Sequence, residues 1–209
     1  MYLTRMPLNR RRRGAMKLLT DAHAMHAGVA SAFPTEPGRT LWRVDRSGDQ
    51  TLLYVVSSML PDLTHIVEQA GWPMLGKGWE TKPYDRFLEG LSIGQTVHFR
   101  LAANPVRSIP QVGAARGKIS PHVGVNNQTK WLVDRAQHVG LGLGARNVLV
   151  TTSDTVHLLR QGKKFGLARA VFEGTADVTD ADSLRTVLCS GIGRGRAYGL
   201  GMLTVVPRD

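Results

Sequence analysis

The segment GQTVHFRLAANPV, Gly94–Val106, is the clearest strand in this sequence, and its position decides how the residues before it are interpreted. Its β-branched and aromatic side chains favour a strand, and Asn104-Pro105 ends the run. The elements before it are a strand, a helix, two strands around the turn SGDQ and a second helix. With Gly94–Val106 as the last strand, this order is the split βαβ or ferredoxin-like plan. We therefore expect a first domain over residues 1–106.

The first predicted helix carries an apolar stripe and two histidines. Its apolar residues recur with spacings of 4, 3, 4 and 4, at Leu18, Ala22, Met25, Val29 and Phe33. Such spacing is typical of one helix with one buried face. His26 falls at one shoulder of this stripe and His23 farther round, where a ring can rest on the core and still reach solvent. A purely structural histidine is the usual alternative, and no Cys or carboxylate group completes a zinc site.

The second half of the chain repeats this element order without an obvious opening strand. Residues 107–130 are rich in Gly, Pro and Asn and predict a linker or mobile loop. A helix, three strands, a second helix and a final strand follow in residues 131–209. The fold class is therefore α+β, with a second ferredoxin-like unit over residues 131–209.

The net charge of +11 is concentrated in two segments. Residues 5–17 hold six basic residues and no acid, and residues 100–170 hold eleven basic residues and two acids. This separation favours a polyanionic partner, nucleic acid rather than a membrane surface, over a generally basic protein. The single cysteine excludes an internal disulfide framework, and no apolar run is long enough for a membrane span or a signal peptide. We expect a cytoplasmic protein.

Basic residues in two places are candidate phosphate ligands. Arg10, Arg11, Arg12 and Arg13 immediately precede the first helix, where the positive end of the helix dipole makes four cations unfavourable unless an anion joins them. Four more basic residues lie on the predicted hairpin RQGKKFGLAR, and they are Arg160, Lys163, Lys164 and Arg169. A basic β-ribbon can follow a phosphate track. In both places a solvated surface is the alternative.

The segment GIGRGRAYGLGML, Gly191–Leu203, is rich in glycine but lacks the GK[ST] motif of a nucleotide loop. Glycines let another backbone approach closely, and adjacent arginines can bind phosphates, so this segment suits contact with a sugar-phosphate chain. The candidate RNA-binding residues are Gly193, Arg194, Gly195 and Arg196. A tight turn required only for packing is the alternative.

Four segments together resemble a known family. These are MYLT at the start, HAMHAG with the later FP, HFRLAANPV, and the tail GIGRGRAYGLGMLTVVP. They are similar to the CRISPR-associated repeat-processing endoribonucleases of the Cascade complex, the CasE family of the repeat-associated RNA-binding superfamily. The resemblance spans nearly the whole chain.

The resemblance implies two tandem ferredoxin-like domains with an RNA-binding groove between and across them. It also implies cleavage of CRISPR repeat RNA at the 3′ base of a stem-loop, without metal or cofactor. The 2′-hydroxyl would attack the phosphate, leaving 2′,3′-cyclic phosphate and 5′-hydroxyl ends, and the product would stay bound with the other Cascade subunits. His26 matches the family's catalytic histidine, whereas His23 stands where the family often has tyrosine.

An imidazole suits this chemistry because its pKa lies near neutrality. Which group takes the 2′-proton stays open, and so does the role of His23. Lys17, about one to two helical turns before the histidines, is a weaker candidate for stabilising the charged phosphorane. The alternatives to an endoribonuclease are a non-catalytic RNA-binding subunit of a ribonucleoprotein complex and a basic ribosome-associated protein.

Overall fold

The first sheet and its helices form a complete ferredoxin-like unit. The computed structural model describes residues 1–72, 78–113, 115–160 and 163–208, without the side chains of residues 159, 160, 163 and 164. The strands are β1 (Tyr2–Pro7), β2 (Leu41–Ser47), β3 (Gln50–Ser57) and β4 (Glu80–Pro83), arranged in the order β2-β3-β1-β4. The helices are α1 (Arg13–Thr20), α2 (Ala22–Ala30), α3 (Thr64–Ala70) and α4 (Asp85–Glu89).

The strand within Gly94–Val106 belongs to the second sheet, so its predicted place as the last strand of the first unit is wrong. This strand, β5 (Thr96–Ala103), pairs antiparallel with β10 (Lys163–Val178) and β11 (Leu203–Pro207). Leu101 lies between Phe172 and Leu203 in this register. The last strand of the first sheet is the four-residue β4, whose residues carry little strand signal.

The second unit has the same plan as the first, and β5 is its opening strand. Its remaining elements are α5 (Val125–Ala136), β8 (Leu141–Gly142), β9 (Val148–Arg160), β10, α6 (Ala181–Ser190) and β11. The main strand order is β11-β5-β10-β9, with β8 pairing the end of β10. Two tandem ferredoxin-like units are therefore confirmed, but the first unit ends before β5 rather than at residue 106.

The segment 107–130 contains regular structure where we expected a linker. β6 (Val106–Ile109) and β7 (Lys118–Pro121) form an antiparallel hairpin that pairs with neither main sheet, and α5 begins at Val125. Gly117 allows the close approach of these strands, since a Cβ there would lie 2.7 Å from the carbonyl oxygen of Ile109. The same glycine weakens the strand signal in the sequence.

The predicted first helix is divided into α1 and α2 at Asp21. The Asp21 carboxylate accepts hydrogen bonds from the backbone N–H groups of His23 and Ala24, at 2.9 and 3.2 Å, and thereby begins α2 as an N-cap. Met25 and Val29 of the predicted stripe are buried, so the apolar face continues across the break.

The two units share a hydrophobic core. Leu41 and Val56 from the first sheet pack in the same cluster as Phe99, Leu101 and the helices of the second unit. A separate cluster lies between the first sheet and α1–α3, and includes Met25, Val29 and Trp42. The helix that carries the histidines is therefore fixed to the first sheet, and that sheet is fixed to the second unit.

A buried arginine also joins the two sheets. Arg43 is only 3% exposed, and its guanidinium donates to the carbonyl oxygens of Arg100 and Met202 at 3.0 and 2.8 Å. It also forms a two-pronged ion pair with Asp45, at 2.8 and 2.7 Å. Asp45 in turn accepts from Arg100 at 3.1 Å. These fixed donors and acceptors set the orientation of one sheet relative to the other.

We expect the substitution Arg43→Ala to lower the free energy of unfolding by about 3 kcal/mol, because it leaves buried acceptors without donors. Urea denaturation measures the change. The control is Arg46→Ala, since Arg46 lies on the same strand and is exposed; this substitution should cost less than about 0.5 kcal/mol. Equal losses in the two variants would show that the Arg43 contacts do not join the units.

Candidate functional site

The side chain of His26 lines a cleft formed by both units. The cleft has a volume of about 620 Å³ and is lined by His26 and Trp42 from the first unit and by Arg196 from the second. The pKa of His26 is lowered from its ordinary value, first because the walls of the cleft partly desolvate its ring and second because of the charge of His23. A neutral imidazole is therefore available at physiological pH to accept a proton.

His23 and Lys17 lie outside the residues that line this cleft. Both side chains are exposed, as is that of His26. His23 stands one turn before His26 on α2 and acts on its pKa through charge, whereas Lys17 belongs to α1, before the break at Asp21. The structure thus couples His23 to His26 and does not bring Lys17 to them.

Two arginines face this cleft without an ion pair in the described part of the chain. Arg196 is held by its own loop, since its Nε donates to the carbonyl oxygen of Gly193 at 3.0 Å and its Nη1 to that of Ser190 at 2.8 Å. Arg39 lines the same cleft and is exposed. The pKa of Arg196 is lowered by partial burial and then by the charge of Arg39. Two cations and an imidazole that line one cleft suit an anion such as a phosphate.

The sequence did not predict Arg39. It lies in TEPGRT, a segment whose Pro and Gly residues indicate only the end of the preceding helix. Glu36 also lines the cleft, but among the described residues no ion pair joins it to either arginine. Nothing in the local pattern distinguishes Arg39 from an arginine in a solvated turn.

The glycine-rich loop serves the packing of the protein. Gly199 has a φ of 76°, and a Cβ added there would lie 2.5 Å from the Trp42 ring. The absent side chain therefore allows the loop to contact the first unit. Gly193 and Gly195 also have positive φ, while Arg194 is exposed and its backbone forms an isolated bridge with Asn104. Packing therefore explains why position 199 is glycine, while the same loop carries the exposed Arg194 and the cleft residue Arg196.

Of the four consecutive arginines, Arg12 is bound within the protein, and the other three have no ion pair among the described residues. Arg12 donates to the carbonyl oxygens of Val67, Glu68 and Gly71, and so satisfies the C-terminal end of α3. Its guanidinium is therefore occupied within the protein. Arg10, Arg11 and Arg13 are exposed and form no ion pair among the described residues.

The long β9–β10 hairpin reaches the same loop. Phe165 contacts the ring of Tyr198 edge-on, with 6.2 Å between centroids, beside the 3₁₀ turn Arg196–Tyr198. The backbone pairs Arg160 with Lys163, but the side chains of Arg160, Lys163 and Lys164 lie outside the described residues. The charge of Arg169 is paired with Asp154, whose Oδ1 accepts from Nε at 2.8 Å.

A groove of about 300 Å³ between the units differs electrostatically from the His26 cleft. Its cations are Arg46, Arg100 and Arg169. Arg100 pairs with Asp45 and Glu173, and Arg169 pairs with Asp154. Most of its positive charge is therefore neutralised internally. Among the described residues, no group of three or more His, Cys, Asp or Glu could hold a metal ion, and no helix is long and apolar enough to cross a membrane.

Comparison with known proteins places the chain in a family. A family model described as CRISPR associated protein matches residues 1–207. The chain belongs to this CRISPR-associated family. It is 30% identical to the CRISPR-associated endoribonuclease Cse3 of Thermus thermophilus, over 99% of this chain and 100% of that protein.

Other relatives agree in sequence and in fold. The CRISPR system Cascade subunit CasE of Escherichia coli is 24% identical over 90% of this chain and 92% of its own length. A structure of the endoribonuclease Cse3 bound to 19-nucleotide RNA superposes with a TM-score of 0.80 at 29% identity, over 99% of this chain and 100% of the other. The crystal structure of Cas6e from Escherichia coli, with a TM-score of 0.70 at 20% identity over 100% of both chains, supports the fold.

NMR titration of the histidine ring protons tests the coupling between His23 and His26. We expect the pKa of His26 to lie below 6.5. In His23→Gln it should rise toward 6.5 without reaching it, because removing a neighbouring positive charge favours protonation while the partial burial remains. The exposed His138, remote from position 23 in the sequence, is the control ring. An unchanged His26 pKa would contradict the coupling.

Proposed function

We propose that this protein is a CRISPR RNA endoribonuclease that cleaves precursor repeat RNA at the 3′ base of a stem-loop. The observation that carries the proposal is the position of His26, an exposed imidazole that lines a cleft with two arginines, which form no ion pair among the described residues. The 30% identical relative, named an endoribonuclease, supports the same activity.

The reaction needs no redox step or added group. The 2′-oxygen attacks the adjacent phosphorus and loses its proton to a base, while the 5′-oxygen leaves and takes up a proton. The products are a 2′,3′-cyclic phosphate and a 5′-hydroxyl. His26 carries one of these protons, since its lowered pKa keeps the base form populated and proton transfer of this kind contributes about 10²–10⁴-fold.

The two arginines supply the charge that the transition state needs. Negative charge grows on the phosphoryl oxygens as the 2′-oxygen bonds to phosphorus, and donors already fixed in place stabilise it without reorganisation. Arg196 is fixed by its two backbone hydrogen bonds. Arg39 has no such contact in the described residues and is free to bind the phosphate, with His23 adjusting the pKa of His26 from outside the cleft.

RNA binding extends beyond this cleft. The exposed Arg10, Arg11, Arg13 and Arg194 are proposed phosphate ligands, together with Arg160, Lys163 and Lys164, whose side chains lie outside the described residues. Arg12 and Arg169 are already paired within the protein and contribute less. By analogy with the relative named a Cascade subunit, the cleaved stem-loop stays bound and is delivered to the other subunits of that complex.

The substitution His26→Ala tests the activity. We expect wild-type protein in excess chelator to cut a stem-loop repeat RNA and to leave cyclic-phosphate and 5′-hydroxyl ends. His26→Ala should bind the RNA and leave it uncut, with His138→Ala as the matched control that cuts normally. Gel analysis of the ends distinguishes the outcomes. Unchanged cleavage by His26→Ala, or loss of wild-type cleavage in chelator, would contradict the mechanism, and RNA bound but uncut by wild type would indicate the non-catalytic subunit.

Arg39→Ala tests the charge stabilisation. We expect the single-turnover cleavage rate to fall by about 10²-fold, because one charged donor to the phosphoryl oxygens is removed. The cleavage rate of Arg39→Lys should fall less, since lysine keeps the positive charge although it lacks the two parallel N–H donors of a guanidinium. Arg86→Ala, which removes an exposed arginine on α4, should cut at the wild-type rate. A normal rate in Arg39→Ala would remove Arg39 from the site.

A further inference from the structure

The last turn of α2 contains one carbonyl group whose hydrogen-bond donor comes from another helix. α2 ends at Ala30, and the carbonyl groups of its last turn need donors from outside the helix. The backbone N–H groups of Ser31 and Ala32 pair with the carbonyl oxygens on either side of Gly28. The carbonyl oxygen of Gly28 itself lies 2.9 Å from Nε2 of His65, in α3. A side chain of α3 therefore completes the end of the helix that carries the proposed catalytic histidine.

The partner of this hydrogen bond defines the role of the His65 ring. A carbonyl oxygen can only accept, so Nε2 of His65 carries the proton and donates it. Nε2 keeps a proton in one tautomer of the neutral ring and also in the charged ring. The contact is therefore made by an N–H group in either charge state, and its function does not require His65 to change charge.

α3 is itself held at its opposite end, so it can serve as a fixed support for α2. The guanidinium of Arg12 donates to the carbonyl groups at the C-terminal end of α3, and the backbone N–H of Asn9 donates to that of Ala70 at 2.8 Å. Just before α3, the backbone N–H of Asp62 donates to the carbonyl oxygen of Ala32 at 2.8 Å. The segment that follows α2 is thus tied to the start of a helix whose own end is fixed.

Apolar contacts hold α2 and α3 together, and the hydrogen bond adds a direction to that contact. Ile66 of α3 is 1% exposed and belongs to the same hydrophobic cluster as Met25 and Val29 of α2. A Cβ at Gly28 would lie 3.6 Å from Cδ1 of Ile66, which is an ordinary van der Waals distance. Apolar burial is non-directional, whereas a hydrogen bond requires its donor to be aligned with the acceptor. The bond from His65 therefore restrains the rotation of α2 and its position along its axis.

The restrained turn of α2 is also the wall of the His26 cleft. His26, Val29 and Ala30 all line this cleft, and Gly28 lies among them. A shift of this turn would move the His26 ring relative to Arg39 and Arg196, which belong to other elements. A displacement of about 1 Å between reacting groups can lower a rate by about 10²-fold. The site is therefore sensitive to the contact that holds this turn in place.

We propose that His65 is a positioning residue, whose hydrogen bond to the carbonyl group of Gly28 holds α2 so that the His26 ring meets the scissile phosphate. The inference rests on the proposed function. His65 is not among the residues that line the cleft, so it acts through α2 rather than on the RNA.

Two substitutions of similar length separate the N–H group from the bulk of the side chain. Methionine has no donor, whereas the amide group of glutamine has N–H donors close to the place of Nε2 in histidine. We expect His65→Met to lower the single-turnover cleavage rate of a stem-loop repeat RNA by about 10-fold or more, because His26 is displaced. The dissociation constant of the RNA should not change. His65→Gln should restore most of the rate.

The control is Thr64→Ala, in the same turn of α3. It removes a hydroxyl that donates to Asp62 at 2.6 Å, at the start of α3 rather than to α2. We expect this variant to cut the RNA at the wild-type rate. Urea denaturation gives the free energy of unfolding of each variant, and the rates are compared under conditions in which all of them are folded.

NMR of the free protein provides a readout that a loss of stability alone would not move. We expect the ring-proton resonances of His26 to differ from wild type in His65→Met and to match wild type in His65→Gln and in Thr64→Ala. The comparison is made at one pH, on folded protein without RNA.

Each outcome decides the positioning role. A wild-type rate in His65→Met, unchanged His26 resonances in that variant, or an equal loss of rate in His65→Gln or in Thr64→Ala would overturn it. Absence of cleavage by the wild-type protein would overturn the proposed function instead. The NMR comparison would still show in that case whether His65 sets the position of His26, because it requires no RNA.

Discussion

The guanidinium of Arg43 joins the two sheets, and the geometry of the His26 cleft depends on that junction. His26 stands on a helix packed against the first sheet, while Arg196 stands on a loop of the second unit. Neither unit alone holds both groups. Arg43 binds carbonyl oxygens of β5 and of the residue before β11, and the shared core around Leu41 and Val56 maintains the contact. Close approach of Gly199 to Trp42 adds a second contact between the units beside the cleft.

The basic residues differ in whether they have a binding partner inside the protein. Arg12 completes the end of α3, Arg43 joins the sheets, and Arg169 pairs with Asp154. The charges of Arg43 and Arg169 contribute little to the field outside because carboxylates offset them, whereas Arg12 keeps its charge but its donors are occupied by backbone carbonyls. Arg39 and the cations of the β6–β7 hairpin have no such partner among the described residues. The proposed function therefore has a polyanion bind where folding has left charge uncompensated, rather than where basic residues are densest in the sequence.

Local sequence patterns predicted the helices and strands better than they predicted which elements come into contact. The Gly94–Val106 strand exists, but its assignment to the first unit was wrong because strand residues do not specify which sheet they join; pairing with β10 and β11 is decided by packing across the core. The β6–β7 hairpin was missed because its glycine and proline residues predict irregular structure. Arg39 was missed because an arginine in a turn acquires a role only when Arg196 approaches from the other unit.

Sequence alone determined the α+β class, the repeated ferredoxin-like order, the helical position of the two histidines and the net positive charge. These depend on periodicity, spacing and composition, which are local properties. Tertiary structure alone decided that β5 opens the second unit, that Arg12 is a structural residue and that Arg39 and Arg196 meet beside His26. Those outcomes depend on contacts between residues far apart in the chain, and the physical reason is that burial and ion pairing act on neighbours in space rather than in sequence.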